Sequence, residues 1–531
     1  MHVRKFLSGR KVFIMKKLMT LALAAGMLLG AATGASAIDF KAKGQWLMGF
    51  AAGDGSFVSH TNQKGESKNA VDQDDAFSAM QRVRLQLDAV ASEALSGTVY
   101  FEIGDTTWGR NVGGGALGAD QNVVELKNAY IDWMVPNTAL KFRMGLQTIT
   151  MPNVAGGSAV LDDDVAGIVA SYQFNENVGL TAVWARPFND NWAGDASTSG
   201  HWRQDGRNGY LDNVDMFALM VPLTFDGVKV TPWAMYGMIG ANAWDAMDAG
   251  WDGSNGNFPQ YTMRPYPYAY NWANQLGNVG DINTSKAYGA AFWAGLPIAL
   301  TLWDPLNIEV DINYGYIESM GRFDVQQMNS RDWRRGDTKR EGWLVKALVE
   351  YKLDWGTPGI FGWYSSGDDG NVKNGSERMP TLSGCGNFMS FMGDGNYGWG
   401  DGRLYDKNLT YAGTWGIGLR IHDMSFVEDL KHSFRVAYWG GTNSPAMAKY
   451  VGSSWGWDNG TGEGPYLTTN DGLLEFNLVN SYQIYENLEA NLELGYIVNM
   501  VDDDTWKRSY RNDSYKKQDA WKAQLIFAYS F

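Results

Sequence analysis

The chain has 531 residues and a formal net charge of −14. Aromatic residues make up 14% of it, glycine is abundant at 64, proline scarce at 14 and charged residues only 19%. Such a composition argues against a disordered chain or a coiled coil, and the acidity excludes a nucleic-acid partner, whose phosphates it would repel.

The first element is a targeting segment. Met15-Lys16-Lys17 is a basic start, Leu18 to Gly30 an apolar run and Ala35-Ser36-Ala37 a small-residue cleavage site. This is the pattern of a secretory signal peptide, with an apolar run too short to span a bilayer. Residues 1–14 either lengthen its basic region or precede the true start at Met15. Cleavage after Ala37 would remove six basic residues and no acid, leaving a net charge of −20 on a single domain, 38–531. The one cysteine, Cys385, cannot form an internal disulfide. Beyond residue 37 no apolar run reaches the ~18 residues of a spanning helix, so an exported chain of this kind enters a membrane only as a barrel.

Period-2 alternation then recurs along the chain. Val83, Leu85, Leu87 and Ala89 alternate with Arg82, Arg84, Gln86 and Asp88, and Leu140, Phe142, Met144 and Leu146 with Lys141, Arg143, Gly145 and Gln147. Ile308 to Tyr316 alternate with Glu309, Asp311 and Asn313, and Leu488 to Tyr496 with Glu489, Asn491 and Glu493. The pattern predicts strands near 38–50, 79–91, 96–107, 124–135, 139–148, 166–174, 178–186, 215–223, 228–239, 286–296, 306–318, 342–354, 358–366, 411–423, 431–442, 471–483, 487–500 and 519–531. The stretches 286–318 and 342–366 are ambiguous, which leaves sixteen as the alternative to eighteen. Short connections such as Asn137-Thr138, Asn175-Glu176-Asn177, Asp226-Gly227 and Tyr485-Glu486 alternate with long ones over 51–78, 187–214, 240–285, 367–410 and 443–470. The fold class expected is all-β: a transmembrane antiparallel β-barrel with short periplasmic turns, long outer loops and aromatic residues at the strand ends.

The last strand ends on Phe531, with Tyr529 and Phe527 on the same apolar face and Ile526 alone out of pattern on the other. That ending is similar to the C-terminal signal read by the machinery that assembles outer-membrane barrels. Over the whole mature chain, and most strongly in "AIDFKAKGQWLMGF" and "RMGLQTITMPNVAGGSAVLDDDVAG", the sequence resembles the outer-membrane homotrimeric porins of sulfate-reducing bacteria. The resemblance implies a trimer among outer-membrane lipids and lipopolysaccharide, passing small hydrophilic solutes by diffusion. It implies that the glycine-rich second loop, 108–123, latches onto a neighbour. It also implies that the third long loop, Thr148 to Val165, folds into the lumen, with flexibility at Gly156-Gly157 and acidity at Asp162, Asp163 and Asp164.

A passive pore needs no catalytic group, only charge and width at its narrowest point. The inward parity places Arg82, Arg84, Lys141 and Arg143 on early strands and Arg420, Lys431 and Arg435 on later ones. These form the expected basic wall opposite the three aspartates. The alternative for each is an ion pair within the wall, with Glu102, Asp88 or Glu350 as acids. Acidic mouth and basic wall pull ion preference in opposite directions, with cations slightly favoured. No cofactor is expected. The acidic runs Asp72-Asp74-Asp75 and Asp502-Asp503-Asp504 are read as solvated loop faces, with Ca²⁺ binding the alternative.

The aromatic loops "WGWDNGTGEG" and "RPYPYAYNW" lie off the lumen parity, which argues against a sugar-stacking ladder. Two G-x-G-x-x-G stretches, from Gly113 and Gly393, lie in loops with no βαβ rhythm, and Gly452-Ser453-Ser454-Trp455-Gly456 has no histidine after it, the last being His432. An enzyme is therefore not expected. A substrate-selective channel and, from another class, a secreted carbohydrate-binding β-protein are the competing readings.

Overall fold

The computed structural model describes the chain from Ile38 to Phe531 apart from 60–75, 111–113, 119–123, 190–212, 244–262, 266–282, 393–396, 400–410, 455–465, 507–515 and a few single positions. The signal segment, Asp72 to Asp75, Cys385 and most of the two aromatic loops lie outside the described residues.

Eighteen staves close into one antiparallel barrel. They are β1 (Asp39–Asp54), β2 (Ala76–Ser92), β3 (Leu95–Thr107), β4 (Val124–Met134), β5 (Leu140–Thr150), β6 (Asp162–Gln173), β7 (Gly179–Asn189), β8 (Asn213–Met220, resuming at Leu223–Phe225) and β9 (Val228–Val230, resuming at Trp233–Gly240). The ring continues with β10 (Tyr288–Trp303), β11 (Leu306–Ile317), β12 (Arg340–Tyr351), β13 (Thr357–Ser365), β14 (Thr414–Val427), β15 (Leu430–Gly441), β16 (Gly472–Tyr485), β17 (Leu488–Asn499) and β18 (Ala520–Ser530). Pro222 and Pro232 interrupt β8 and β9, because neither can donate to the ladder. The Val221 amide still reaches the Pro232 carbonyl at 3.0 Å, so the two staves stay in register across the gap. All eighteen expected strands are present, and sixteen is excluded.

Short turns close one end. Gly227 in the Asp226-Gly227 turn has φ +66°, and Asn137 and Asp429 also take positive φ in theirs, as tight turns require. The long connections all lie at the other end.

Alternation gives the barrel two unlike faces. Trp46, Phe217, Leu219, Tyr236, Ile312, Trp343, Ile417 and Leu494 are exposed on the outside. The inner face carries Arg82, Asp311, Lys346, Glu475, Glu493 and Lys522, all buried. Ile526, the apparent exception in the last strand, turns inward into a small cluster with Leu47, Met80, Ala528 and Trp399.

The seam joins the chain's two ends. β1 runs beside both β18 and β2. The Gly44 amide donates to the Phe531 carbonyl at 2.9 Å and the Phe531 amide returns to the Gly44 carbonyl at 3.1 Å. A Cβ on Gly44 would sit 2.6 Å from both the Phe531 ring and the Arg84 carbonyl, so only glycine lets the terminal ring lie flat on the seam. Gly44→Val is therefore expected to destabilise the barrel by about 1–3 kcal/mol. The measurement is the temperature at which the compact, fast-migrating form is lost on a gel. An unchanged transition would refute the packing.

Candidate functional site: the barrel interior

Two connections leave the rim and cross the interior. The first is Met151–Leu161, between β5 and β6, which reaches the far wall at β11 and β12. There the Asp311 carboxylate accepts the Val154 and Ala155 amides at 3.2 and 2.9 Å, and the Lys346 ammonium donates to the Gly157 carbonyl at 2.5 Å. Lys346 and Asp311 also pair with each other at 3.2 Å, with side-chain exposures of 0% and 2%. Trp233 donates to the Pro152 carbonyl at 3.1 Å and Tyr411 to the Gly156 carbonyl at 2.7 Å. Gly156 and Gly157 take φ of +62° and +81°. A Cβ on Gly156 would lie 2.5 Å from the Tyr411 hydroxyl. The glycines thus serve a left-handed bend and a close approach in a loop fastened from several sides.

The second crossing connection, 366–413 between β13 and β14, was not foreseen. At its root Arg340 donates to the carbonyls of Arg378, Met379 and Arg264 at 2.9, 3.2 and 2.8 Å. Leu382 and Ser383 then bond to the Val160 carbonyl, and Asp162 to the Ser383 carbonyl, which joins the two crossing loops. Further on, Asn477 accepts the Ser390 amide at 2.7 Å and Glu475 the Phe391 amide at 2.9 Å. Lys522 reaches the Ser390 carbonyl at 3.1 Å and pairs with Glu493 at 3.0 Å. Trp399 ends on the opposite wall, donating to Asp105 at 2.6 Å with Arg82 5.5 Å from its ring centre. One signal in the sequence could have found this loop: "NFMSFM", 387–392, is too apolar for a solvated connection.

Both loops lie on an inner wall that is itself apolar, including Trp293, Leu344, Leu348, Phe361, Trp363 and Trp439. That side of the barrel is a filled core. The polar side, β2 to β6, remains open: Arg143 and Lys141 keep 36% and 44% side-chain exposure.

The expected basic wall sits on the inner face, and most of it is paired. Arg84 donates to Glu102 at 2.6 Å. Arg143 grips Asp132 with two bonds of 2.8 Å, Lys141 joins them at 3.3 Å, and Tyr130 lies beneath the Arg143 guanidinium. Arg420 binds Glu350 at 2.7 Å. Arg82 lies 3.6 Å from Asp105, Lys431 3.9 Å from Asp423, and Arg435 donates to His422 at 3.0 Å. Arg420 and Arg435 are direct cross-strand partners.

The expected acidic loop needs correction. Asp162, Asp163 and Asp164 open β6 as ladder partners of Thr150, Ile149 and Thr148. Only Asp163 has inward parity, bonded by Ser383 at 2.8 Å. Asp162 and Asp164 share the outer face with the threonines, because pairing with β5 overrides the low strand preference of aspartate. The crossing loop proper is apolar, and the acid that matters to it, Asp311, is on the wall.

Of the acidic run in the last long loop, Asp502 caps a short helix through the Thr505 amide at 2.8 Å, and Asp503 pairs with Lys517 at 3.4 Å.

No protein-family model and no curated protein matches the chain. Among solved structures it is similar to OpdQ of Pseudomonas aeruginosa, at 12% identity, with 93% of this chain and 98% of that one covered and a TM-score of 0.46. OccK2 (OpdF) of the same organism, in complex with glucuronate, gives 10%, 93%, 98% and 0.47. OccAB3 of Acinetobacter baumannii gives 10%, 92%, 99% and 0.47.

Two predictions follow from the loop anchors. Lys346→Met would strand the Asp311 carboxylate in a closed interior, at a cost of about 3–5 kcal/mol. The pair Lys346→Met with Asp311→Asn should recover most of that in a thermal melt while leaving 151–161 open to protease. Equal melts for the single and double variants would refute the coupling.

Burial pushes the Glu377 carboxyl up to about 7, with the Asp368 and Asp369 carboxylates adding to it. An acid held above its ordinary value favours the docked state when protonated. The 366–378 segment should therefore sit most firmly below about pH 4.5 and loosen as pH rises through about 7. Hydrogen exchange at the Asp369 amide, which donates to Glu377, reads this. Glu377→Gln should flatten the profile.

Proposed function

We propose that the chain is an outer-membrane porin, a β-barrel channel through which small hydrophilic solutes and ions pass passively, working as a homotrimer. The observation that carries this reading is the inversion of the two faces on one closed barrel. An exterior so largely exposed and apolar would be untenable in water, and suits acyl chains. The interior presents a strip of ion pairs from β2 to β6, charged on both sides, that favours solutes able to exchange hydrogen bonds with it. Export through the secretory pathway, assembly through the Phe531 signal and residence among outer-membrane lipids and lipopolysaccharide belong to the same proposal. A catalytic role is not part of it.

One observation favours the substrate-selective alternative: a second loop fills the interior alongside the first. Two loops anchored to wall carboxylates leave a narrower and more sharply shaped path than one.

The test is single-channel recording of the purified protein in a planar bilayer under a salt gradient. Stepwise openings in groups of three are expected, with the sign of the reversal potential reporting whether acidic mouth or basic strip governs selectivity. Lys346→Met with Asp311→Asn should enlarge the step. A folded, detergent-dependent protein that gives no steps would overturn the open-channel reading. Saturable block by one class of solute would decide for the selective channel.

A further inference from the structure

We propose that the wall above β10 to β12 is a docking surface for the acidic, phosphorylated saccharide of an outer-leaflet glycolipid, with Arg331, Arg334 and Arg335 as its anion-binding groups. This rests on the outer-membrane reading above, with the long connections facing outward. The ladder of these three staves is resumed beyond the barrel. Asn283–Thr284 pairs with Gly321–Gln326, and that strand with Trp333–Asp337, in the same order as β10, β11 and β12. The outer face continues with it. Tyr314 and Tyr316 on β11 lead to Arg322 and Asp324, and Trp343 and Glu341 on β12 lead to Asp337 and Arg335.

The extension is fixed from behind. Phe323 and Val325 on its inner face are 1% and 0% exposed. A Cβ on Gly336 would lie 2.6 Å from the Phe323 ring, so glycine stands there. The Thr338 hydroxyl accepts the Met320 and Gly321 amides at 2.8 and 3.0 Å, and the Asp337 amide donates to the Val372 carbonyl at 3.0 Å. The opposite face therefore looks sideways, away from the barrel axis.

Near the rim its charges are balanced. Lys286 pairs with Glu318, Lys339 with Glu341 at 2.5 Å, and Arg322 with Asp337 at 3.7 Å. Farther out the balance ends. Arg331, Arg334 and Arg335 are exposed, and none of them enters an ion pair among the described residues. Their one side-chain hydrogen bond runs from Arg334 to the Trp333 carbonyl at 3.0 Å. Asp324, opposite Arg335 in the ladder, and Asp332 are the acids at hand, and neither closes a pair. Trp333 stands among the three guanidiniums, 47% exposed. Three free cations around a ring, on a chain of net charge −14, match an external anion.

Height and direction select the glycolipid. A strand rises about 3.3 Å per residue and tilts by about 40°, which puts Arg335 roughly 25 Å above Tyr314. Acyl chains end near the Tyr314 ring, and a phospholipid headgroup is too short to span the rest. What borders the barrel sideways at that level is saccharide, whose phosphates and carboxylates suit a guanidinium fork and whose rings suit an indole.

The test uses the purified barrel in detergent, with bound lipopolysaccharide counted by native mass spectrometry. The wild type is expected to bind it, and at least tenfold more weakly after chemical dephosphorylation of the glycolipid. Arg331→Gln with Arg334→Gln and Arg335→Gln should cost at least tenfold in affinity while the heat-modifiable gel shift persists. Lys352→Gln, exposed at the short-turn end, should bind as the wild type does. If the triple variant does not fold, Arg335→Glu alone makes the same test. Unchanged binding by these variants overturns the placement. Equal uptake of phosphatidylglycerol, or displacement by millimolar inorganic phosphate, overturns the saccharide in favour of a general anion site. Loss of oligomer mass with glycolipid retained makes the face a contact between copies, and overturns it too. A wild type that conducts in the planar bilayer but binds no lipopolysaccharide sinks this inference alone, whereas a protein soluble without detergent sinks the outer-membrane reading beneath it.

Discussion

Closure of the backbone ladder is the constraint on which the rest of this structure depends. A sheet whose outer face is apolar cannot leave an edge, because unpaired amides and carbonyls at that edge would have no partner in hydrocarbon. The seam between β1 and β18 removes the edge, and Phe531 closes it with both of its backbone groups on Gly44. The terminal aromatic therefore does structural service at the same position that resembles an assembly signal. Once the ring is closed, alternation leaves each residue one choice, outside or inside, and the two faces can be specialised independently.

The interior is specialised in two halves. Over one arc the inward residues are large and apolar, and the crossing loops complete them into a core. Over the other they are arginines, lysines and acids that pair across neighbouring strands. The crossing loops are held to the wall by a few buried ionic anchors between neighbouring staves, Lys346 with Asp311 and Lys522 with Glu493. Such pairs contribute little net stability compared with apolar replacements, yet losing one partner is expensive. They are well suited to holding loop backbone in one place, since a carboxylate can accept two amides at once, as Asp311 and Glu475 both do.

This division explains what was legible in the sequence. Strands with one apolar and one charged face, such as β2, β5 and β17, announce themselves by period two, and so does the turn chemistry between them. The doubtful stretches were those now seen as β10 to β13. Around β11, which keeps a polar inner face, the inner faces of β10, β12 and β13 carry Trp293, Leu344, Phe361 and Trp363, apolar on the side where a water-filled barrel should be polar. The alternation blurred because that wall faces protein. The basic residues were assigned to the correct face, but parity says nothing about distance, so their pairing with Glu102, Asp132 and Glu350 had to come from the structure. Asp162 to Asp164 misled for the opposite reason: acidity suggested a loop where the ladder continues.

The apolar arc also bears on how this interior can change. A loop lying on a polar wall could lift into water at modest cost, with its bonds exchanged for solvent ones. Here Phe388 stacks on Phe361 at 4.6 Å, and Met389, Phe391 and Met392 are buried, so lifting the second loop would wet apolar surface on both partners. The amides of Phe391 and Met392 would at the same time leave Glu475 bare. Apolar contact and ionic anchor thus release together or not at all, which makes the crossing loops part of the wall. On the channel reading proposed above, the path for a solute runs along the side they leave open, past Arg84, Asp132 and Arg143.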